Sequence, residues 1–415
     1  MSKGVHLIQS QLEPFDDIAH GSTQRIAHTL KHTRMAISHQ LSDSKRCLLE
    51  RIEADRSVAL SQQQRRDGRN SGQPGGASGS PERAPSEEQD IGQLQVFLSE
   101  ILNRPLTASF IRSDVLFWKY FASRSDWAAP RSWVFRGRSR DILAHVGIWP
   151  VSFDLGKERI QSMMNIDWAA SPQTPGLGSV LRREIVEQCP VLFGIGGTQK
   201  TRFILSEEGY SKAGALDSFV RFVNPIKVLR QASLRDRSKI KNIFRQQLAT
   251  WRMDFEIHDW AALSLSSFES LRSVLANRNK FAWTNCTRTP ELMNYMLACP
   301  LDCRGFNLLY KGRTMGYVLM NRTGDAANVV DLWVESEDVS MWSQACALAV
   351  RIAEEFPAIK VIWFQCSLDT IRHAAIKNRF VHKESRPIWI NDPNGLLCSA
   401  PPLNVGAMES DRWLL

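Results

Sequence analysis

Residues 166–188, IDWAASPQTPGLGSVLRREIVEQ, restrict the architecture more than any other stretch of the chain. The pattern changes twice within it. Residues 166–170 read as a β-strand, a proline-bounded turn then carries Gln173, Thr174, Pro175, Gly176, Leu177 and Gly178, and Leu181, Ile185 and Val186 fall on one face of a helix. At a strand–loop–helix junction the first-turn N–H groups lack intrahelical partners and sit at the positive end of the helix dipole, so they suit an anion such as a pyrophosphate. Glycines at 176 and 178 are expected to let that anion approach the main chain.

The loop has neither the lysine nor the spacing of a P-loop, and Val180 and Leu181 after Gly178 break a GxGxxG dinucleotide fingerprint. Gln173 to Gly178 does fit Q/R-x-x-G-x-G/A. An apolar strand follows at 191–194, and a second helix starts near Thr198 and ends at Glu208-Gly209-Tyr210. Upstream, 133–136 and 142–151 read as a hairpin, preceded by Leu116-Phe117-Trp118-Lys119-Tyr120. In this order the landmarks resemble the GNAT acyltransferases, whose coenzyme A loop has the Gln173–Gly178 pattern.

The pattern then recurs. Residues 112–116 align with 288–292, 166–168 with 330–332, 191–193 with 361–363, and 208–210 with 378–380, at offsets between 164 and 176. Near-constant offsets over a domain's length indicate duplication. The second copy has no glycine between Val334 and Ala349, carries Glu335, Glu337 and Asp338 where the anion would sit, and has Arg379 in place of the closing glycine. It is expected not to bind coenzyme A. The expected fold class is α/β, a duplicated GNAT fold preceded by a helical arm and a disordered linker. It is similar to the tandem GNAT architecture of FemA/FemX-type transferases and of GNAT-like proteins from bacterial polysaccharide gene clusters.

The resemblance implies acyl transfer, most simply acetyl, from acetyl-CoA or another acyl-coenzyme A to an amine or hydroxyl. Pyrophosphate would rest on the amides of Gln173, Thr174, Pro175, Gly176, Leu177, Gly178 and Ser179. The pantetheine arm would lie along Asp167, Trp168, Ala169 and Ala170 like an added strand. Asp167 and His145 are the candidate bases, although His145 faces the cleft or the core according to register, and Asp331 repeats Asp167 in the half without a loop. The tyrosine that often serves as general acid is Leu205 here. The rival readings are aminoacyl transfer from charged tRNA and a non-catalytic tandem scaffold.

Composition bounds the remainder. The chain has 415 residues, of which 43% are hydrophobic, enough for substantial cores. Residues 1–92 are charge-neutral, so the net +9 lies beyond them; that suits an anionic donor, with non-specific nucleic-acid binding as the rival. No eighteen-residue apolar run or secretory h-region is present, which points to a cytoplasmic protein. The eight cysteines show no paired spacing; Cys299 with Cys303, like His28 with His32, lacks the further ligands of a metal site, so no metal is expected.

The expected divisions are a helical arm (1–60), a disordered linker (61–92), the first half with its loop (93–224), a basic inter-domain helix (225–262), a second half (263–392) and a C-terminal tail (393–415). Within 15–52 an eleven-residue apolar period gives the arm one stripe, which reads as a surface for self-association or another protein, or as a simple amphipathic helix.

Overall fold

The computed structural model describes residues 81–223 and 257–414, apart from 157, 188, 398, 399 and 401. The arm, most of the linker and nearly all of the basic helix lie outside the described residues, and so does the association surface assigned to 15–52.

The first half runs β1 (Glu82–Pro85), α1 (Ile91–Ile101), α2 (Ser113–Tyr120), β2 (Ser132–Arg136), β3 (Ile142–Leu155), β4 (Glu158–Ala170), α3 (Leu177–Val186), β5 (Val191–Ile195), α4 (Gln199–Glu207) and β6 (Ser211–Phe222). The second runs β7 (Trp260–Leu265), α5 (Arg272–Asn277), β8 (Thr284–Cys286), α6 (Pro290–Leu297), β9 (Arg304–Tyr310), β10 (Arg313–Thr323), β11 (Ala326–Val334), α7 (Val339–Glu354), β12 (Val361–Cys366), α8 (Asp369–Lys377) and β13 (Val381–Asn391). Apart from α1, α5 and β8, the two series match element for element, and each aligned segment falls in the equivalent place. The helix before each last strand even closes alike: Gly209 and Arg379 both take the left-handed conformation, at φ +83° and +62°.

One expected boundary shifts. Residues 82–85, placed in the linker by their lack of large apolar side chains, form β1 and pair with β2 from Glu82↔Arg136 to Pro85↔Trp133. The tail is packed too: Leu403, Val405, Ala407, Met408, Trp413 and Leu414 are buried. Strand β14 (Leu403–Asn404) pairs with β8, which in turn meets β3.

The strands form one mixed sheet in the order β1-β2-β3-β4-β5-β13-β6-β12-β11-β10-β9-β7. The halves exchange their last strands, so that β13 pairs with β5 and β6 pairs with β12. Neither half therefore holds all of its own sheet. Helices α2 and α6, equivalent in the two series, meet at the centre: Trp118 stacks on Tyr295 at 4.9 Å, Trp118 Nε1 donates to the Tyr295 carbonyl at 3.0 Å, and Tyr295 OH donates to the Trp118 carbonyl at 2.6 Å. A smaller apolar cluster, with Leu181, Ile185 and Leu205 against Val146, Ile148, Met163 and Leu192, fixes α3 and α4 on the other face of the sheet.

Candidate active site

Strands β4 and β5 are parallel but pair only from Ser162↔Val191 to Met164↔Phe193. Beyond Met164 they part. Residues 165–170 keep their partner β3 on one side, from Ile148↔Asn165 to Ala144↔Ala170, and meet no strand on the other among the described residues. The result is a wedge-shaped notch with one free main-chain edge. At its lip Asn165 Oδ1 is buried without a hydrogen-bond partner.

A bulge marks this edge. The register shifts between His145↔Ala169 and Gly147↔Ile166, and Asp167 sits at φ +47°, a conformation Asp tolerates better than most residues. The bulge turns the Asp167 carboxylate into the protein, where it pairs with Lys119 Nζ and accepts from Tyr120 OH. Gly147 makes this possible, since a Cβ there would lie 2.5 Å from the Tyr120 hydroxyl. Burial pushes the Asp167 carboxyl up, but the Lys119 ammonium and the hydrogen bonds of Lys119 and Tyr120 outweigh it and hold the pKa below the usual carboxylate value. With its side chain 3% exposed and ion-paired, Asp167 is poorly suited to take a proton from an acceptor.

His145 is also turned inward. It is fully buried, and burial lowers its pKa to about 4, leaving a neutral ring. Its Nδ1–H donates to the Asp167 carbonyl at 2.9 Å, so Nε2 accepts from the Ser132 hydroxyl at 3.0 Å. The register sends the ring to the core, and both ring nitrogens are used. Neither base expected from the sequence opens onto the notch; together they brace the bulge.

The glycine loop lies at the end of the free edge. Gly176 takes φ +87° and caps α3, with open space around it. Gly178 has a different reason from the one expected: a Cβ there would come 2.9 Å from Trp168 Nε1 and 3.2 Å from Ala170 Cβ, so this glycine lets α3 pack on the end of β4. Not every amide of the loop is available. Gln173 N–H donates to Ser171 Oγ, Thr174 N–H to the Ser171 carbonyl, Leu177 N–H to the Thr174 carbonyl and Ser179 N–H to the Gly176 carbonyl, while Pro175 has none to offer. The amides of Gly176 and Gly178 have no partner among the described residues. Trp168 holds the loop's helix from below, its ring 5.1 Å from the buried Arg182 guanidinium, which also pairs with Glu208.

The second half contains the same notch, filled. Strands β11 and β12 pair only from Ala326↔Val361 to Val329↔Phe364 before parting. Asp331 repeats the buried aspartate, accepting from Arg288 Nε and Tyr317 OH, each at 2.7 Å. Here, however, the chain's own C-terminal segment enters the gap. Gly406 bridges Cys366, the Val405 N–H donates to Ser367 Oγ at 2.8 Å, Ser367 Oγ donates to the Leu403 carbonyl at 2.6 Å, and Glu409 pairs with Arg288. A void of about 20 Å³ is left. The sequence expectation for this half rested on the acids Glu335, Glu337 and Asp338; the structure adds a segment of the chain itself lying in the gap.

A larger cavity of about 190 Å³ lies between the halves, lined by residues that include Trp149, Gln161, Thr287 and Met408. Gln161 is six strand residues from Asp167, about 20 Å at strand rise, so this cavity is not the notch.

No protein-family model matches the sequence, and a comparison with curated proteins returns no match. Solved structures do match the fold. A GCN5-related N-acetyltransferase from Kribbella flavida aligns with TM-score 0.50 and 12% identity over 76% of this chain and 73% of its own. Saccharomyces cerevisiae N-myristoyltransferase, with bound myristoyl-CoA and inhibitors, aligns with TM-score 0.53 and 12% identity over 77% of this chain and 82% of its own. The chain has a GNAT-like fold.

Proposed function

We propose that this protein transfers an acyl group from an acyl-coenzyme A to an amine or hydroxyl. The notch between β4 and β5 holds the donor. The observation that carries this reading is the contrast between two equivalent notches, one filled by the chain itself and one left, among the described residues, with a free main-chain edge ending at two unpartnered glycine amides. In this reading the pantetheine arm pairs with the edge from Asp167 to Ala170, and the pyrophosphate rests on the amides of Gly176 and Gly178 at the start of α3. The unpaired main chain beside the bulge is suited to polarise the thioester carbonyl. The myristoyl-CoA bound to the yeast N-myristoyltransferase supports the donor class, and leaves the acyl chain and acceptor open.

Native mass spectrometry of the purified protein tests the donor. Retained coenzyme A or acyl-coenzyme A, one per chain, is the expected result. A protein that holds none even after incubation with acetyl-CoA would overturn the assignment. A protein that binds acetyl-CoA and leaves it intact with every acceptor would instead fit the non-catalytic scaffold reading.

A further inference from the structure

Strand β3 carries a break along the edge that faces away from β4. Strand β2 accompanies it as far as Ile148, whose N–H donates to the Arg131 carbonyl at 2.7 Å, and β8 takes over where the Thr287 N–H donates to the Ser152 carbonyl at 2.7 Å. The residue between them that points to the same edge is Pro150, which has no N–H for the break to leave unpaired. Its carbonyl accepts from Arg124 Nη2 at 3.3 Å. The cavity of about 190 Å³ between the halves is lined by this break.

Arg124, on the cavity wall, is held rigidly. Its Nε and Nη2 donate to the two Asp126 oxygens at 2.9 and 2.7 Å, and the guanidinium lies 5.4 and 5.1 Å from the rings of Trp149 and Tyr295. The side chain is 2% exposed, yet Nη1 is buried with no hydrogen-bond partner among the described residues. Its N–H donors are therefore unmet where an unmet donor costs stability. The side chains of Ser125, Ser152 and Gln161, on the same wall, also make no hydrogen bond among the described residues. Trp149, Leu292, Met296 and Met408 supply a buried apolar lining, and the exposed Ser125, Arg159 and Gln161 mark the mouth.

We infer that this cavity binds a small aromatic carboxylic acid, its carboxylate on Arg124 Nη1 and its ring against Trp149, Met296 and Met408. The inference does not rest on the donor site proposed above. Volume sets the size of the ligand: an apolar cavity of about 150 Å³ takes a benzene molecule, so one of about 190 Å³ admits a ring bearing one small group. The indole and the two thioethers favour an aromatic ring over an aliphatic chain. The unmet donor selects an acceptor, and a carboxylate is the strongest one for a guanidinium.

The charges around the cavity leave room for one more anion. Asp126 balances Arg124, and Glu409 pairs with Arg288 on the same wall. Arg159 at the mouth is 52% exposed and reaches Asp154 only at 3.4 Å, so it supplies the charge that a bound carboxylate needs. The walls come from three parts of the chain: β3, β4 and the loop after α2, then the start of α6, and then the C-terminal segment, which Trp149 Nε1 holds by donating to the Met408 carbonyl at 3.1 Å. A ligand here touches all three and should raise the melting temperature of the whole chain.

The test uses the full-length protein with benzoate as the probe, and benzamide and benzylamine as its neutral and cationic counterparts. Binding is read by ligand-observed NMR titration, with melting temperature followed alongside. Benzoate should bind with a Kd of about 1 mM or below, benzamide about tenfold more weakly, and benzylamine not measurably. Arg124→Met should abolish benzoate binding. Because that substitution strands Asp126 and lowers stability, Arg159→Glu serves as a second variant: at an exposed position, it should keep the wild-type melting temperature and weaken benzoate about tenfold. Saturating coenzyme A should leave benzoate bound, since the cavity lies about 20 Å from the notch. No benzoate binding by wild type, equal binding of the three probes, wild-type affinity in Arg159→Glu, or displacement by coenzyme A would overturn the inference. A protein that binds benzoate and no coenzyme A would overturn the donor site and leave this one standing.

Discussion

At the scale of single residues, the molecule separates groups that are buried for structure from groups placed at an opening. Lys119 is fully buried and its ammonium is matched by Asp167. Asp167→Ala should therefore cost about 3–5 kcal/mol in chemical denaturation, because it strands a buried charge. His145 predicts a pH dependence of opposite origin. Unfolded, it would titrate near 6.5; folded, at about 4. Below pH 6.5 the unfolded state takes up a proton that the folded state refuses, so this residue's contribution falls by about 1.4 kcal/mol per pH unit until about pH 4. Asp411, whose carboxyl burial pushes up to about 6, acts in the reverse sense and costs stability as pH rises from about 4 to about 6. The measurable quantity is thus the difference between wild type and His145→Gln: the variant should lose stability less steeply from pH 6.5 to 4, and parallel curves would show that His145 is not held neutral. The sequence showed that these residue types were present but not which way they faced. A bulge at residue 167 shifts the register there, and no local pattern announces where a bulge falls.

At the scale of elements, much was legible. The hairpin of β2 and β3, the start of α4 after Thr198 and the strand β5 follow from local apolar periodicity and turn residues, which act over a few positions. The equivalence of the two series was also visible, because a duplication leaves its spacing in the sequence. The exchange of β6 and β13 was not, since pairing partners about 140 to 200 residues apart leave no mark on either strand. Nor was β1, whose polar sequence hides an edge strand completed by β2. The duplicated helix ends give one prediction. Arg379 is exposed and carries a side chain at φ +62°, where its counterpart is Gly209. Arg379→Gly should stabilise the protein by about 1 kcal/mol, read as a higher denaturation midpoint at unchanged slope, because the left-handed conformation costs a residue with a Cβ about that much. A lower midpoint would mean that the arginine has a role in the fold beyond this turn.

At the scale of the whole molecule, the strand exchange and the C-terminal segment make the two halves one unit. Each half lends the other a strand, and the segment from Leu403 to Leu414 closes the second notch and then packs Trp413 against Trp118 on α2. A chain cut before residue 403 should lose cooperative folding or melt well below the full-length protein, since it exposes the apolar lining of β11 and β12 that Val405, Ala407 and Met408 cover. An unchanged melting temperature would show the segment to be dispensable. The role of this tail was hidden in the sequence, where it followed the last repeated strand and had no counterpart to align with.

Calorimetric titration of full-length protein with coenzyme A, alongside Gly176→Asp, tests the donor site most directly. Gly176 has open space about it, so the substitution adds negative charge at the loop without a clash; at φ +87° any side chain strains the backbone, and Gly176→Asn, which should still bind, carries that strain without the charge. One equivalent per chain in wild type, lost in Gly176→Asp, is the predicted result. Two equivalents, none, or one that survives the substitution would contradict the account.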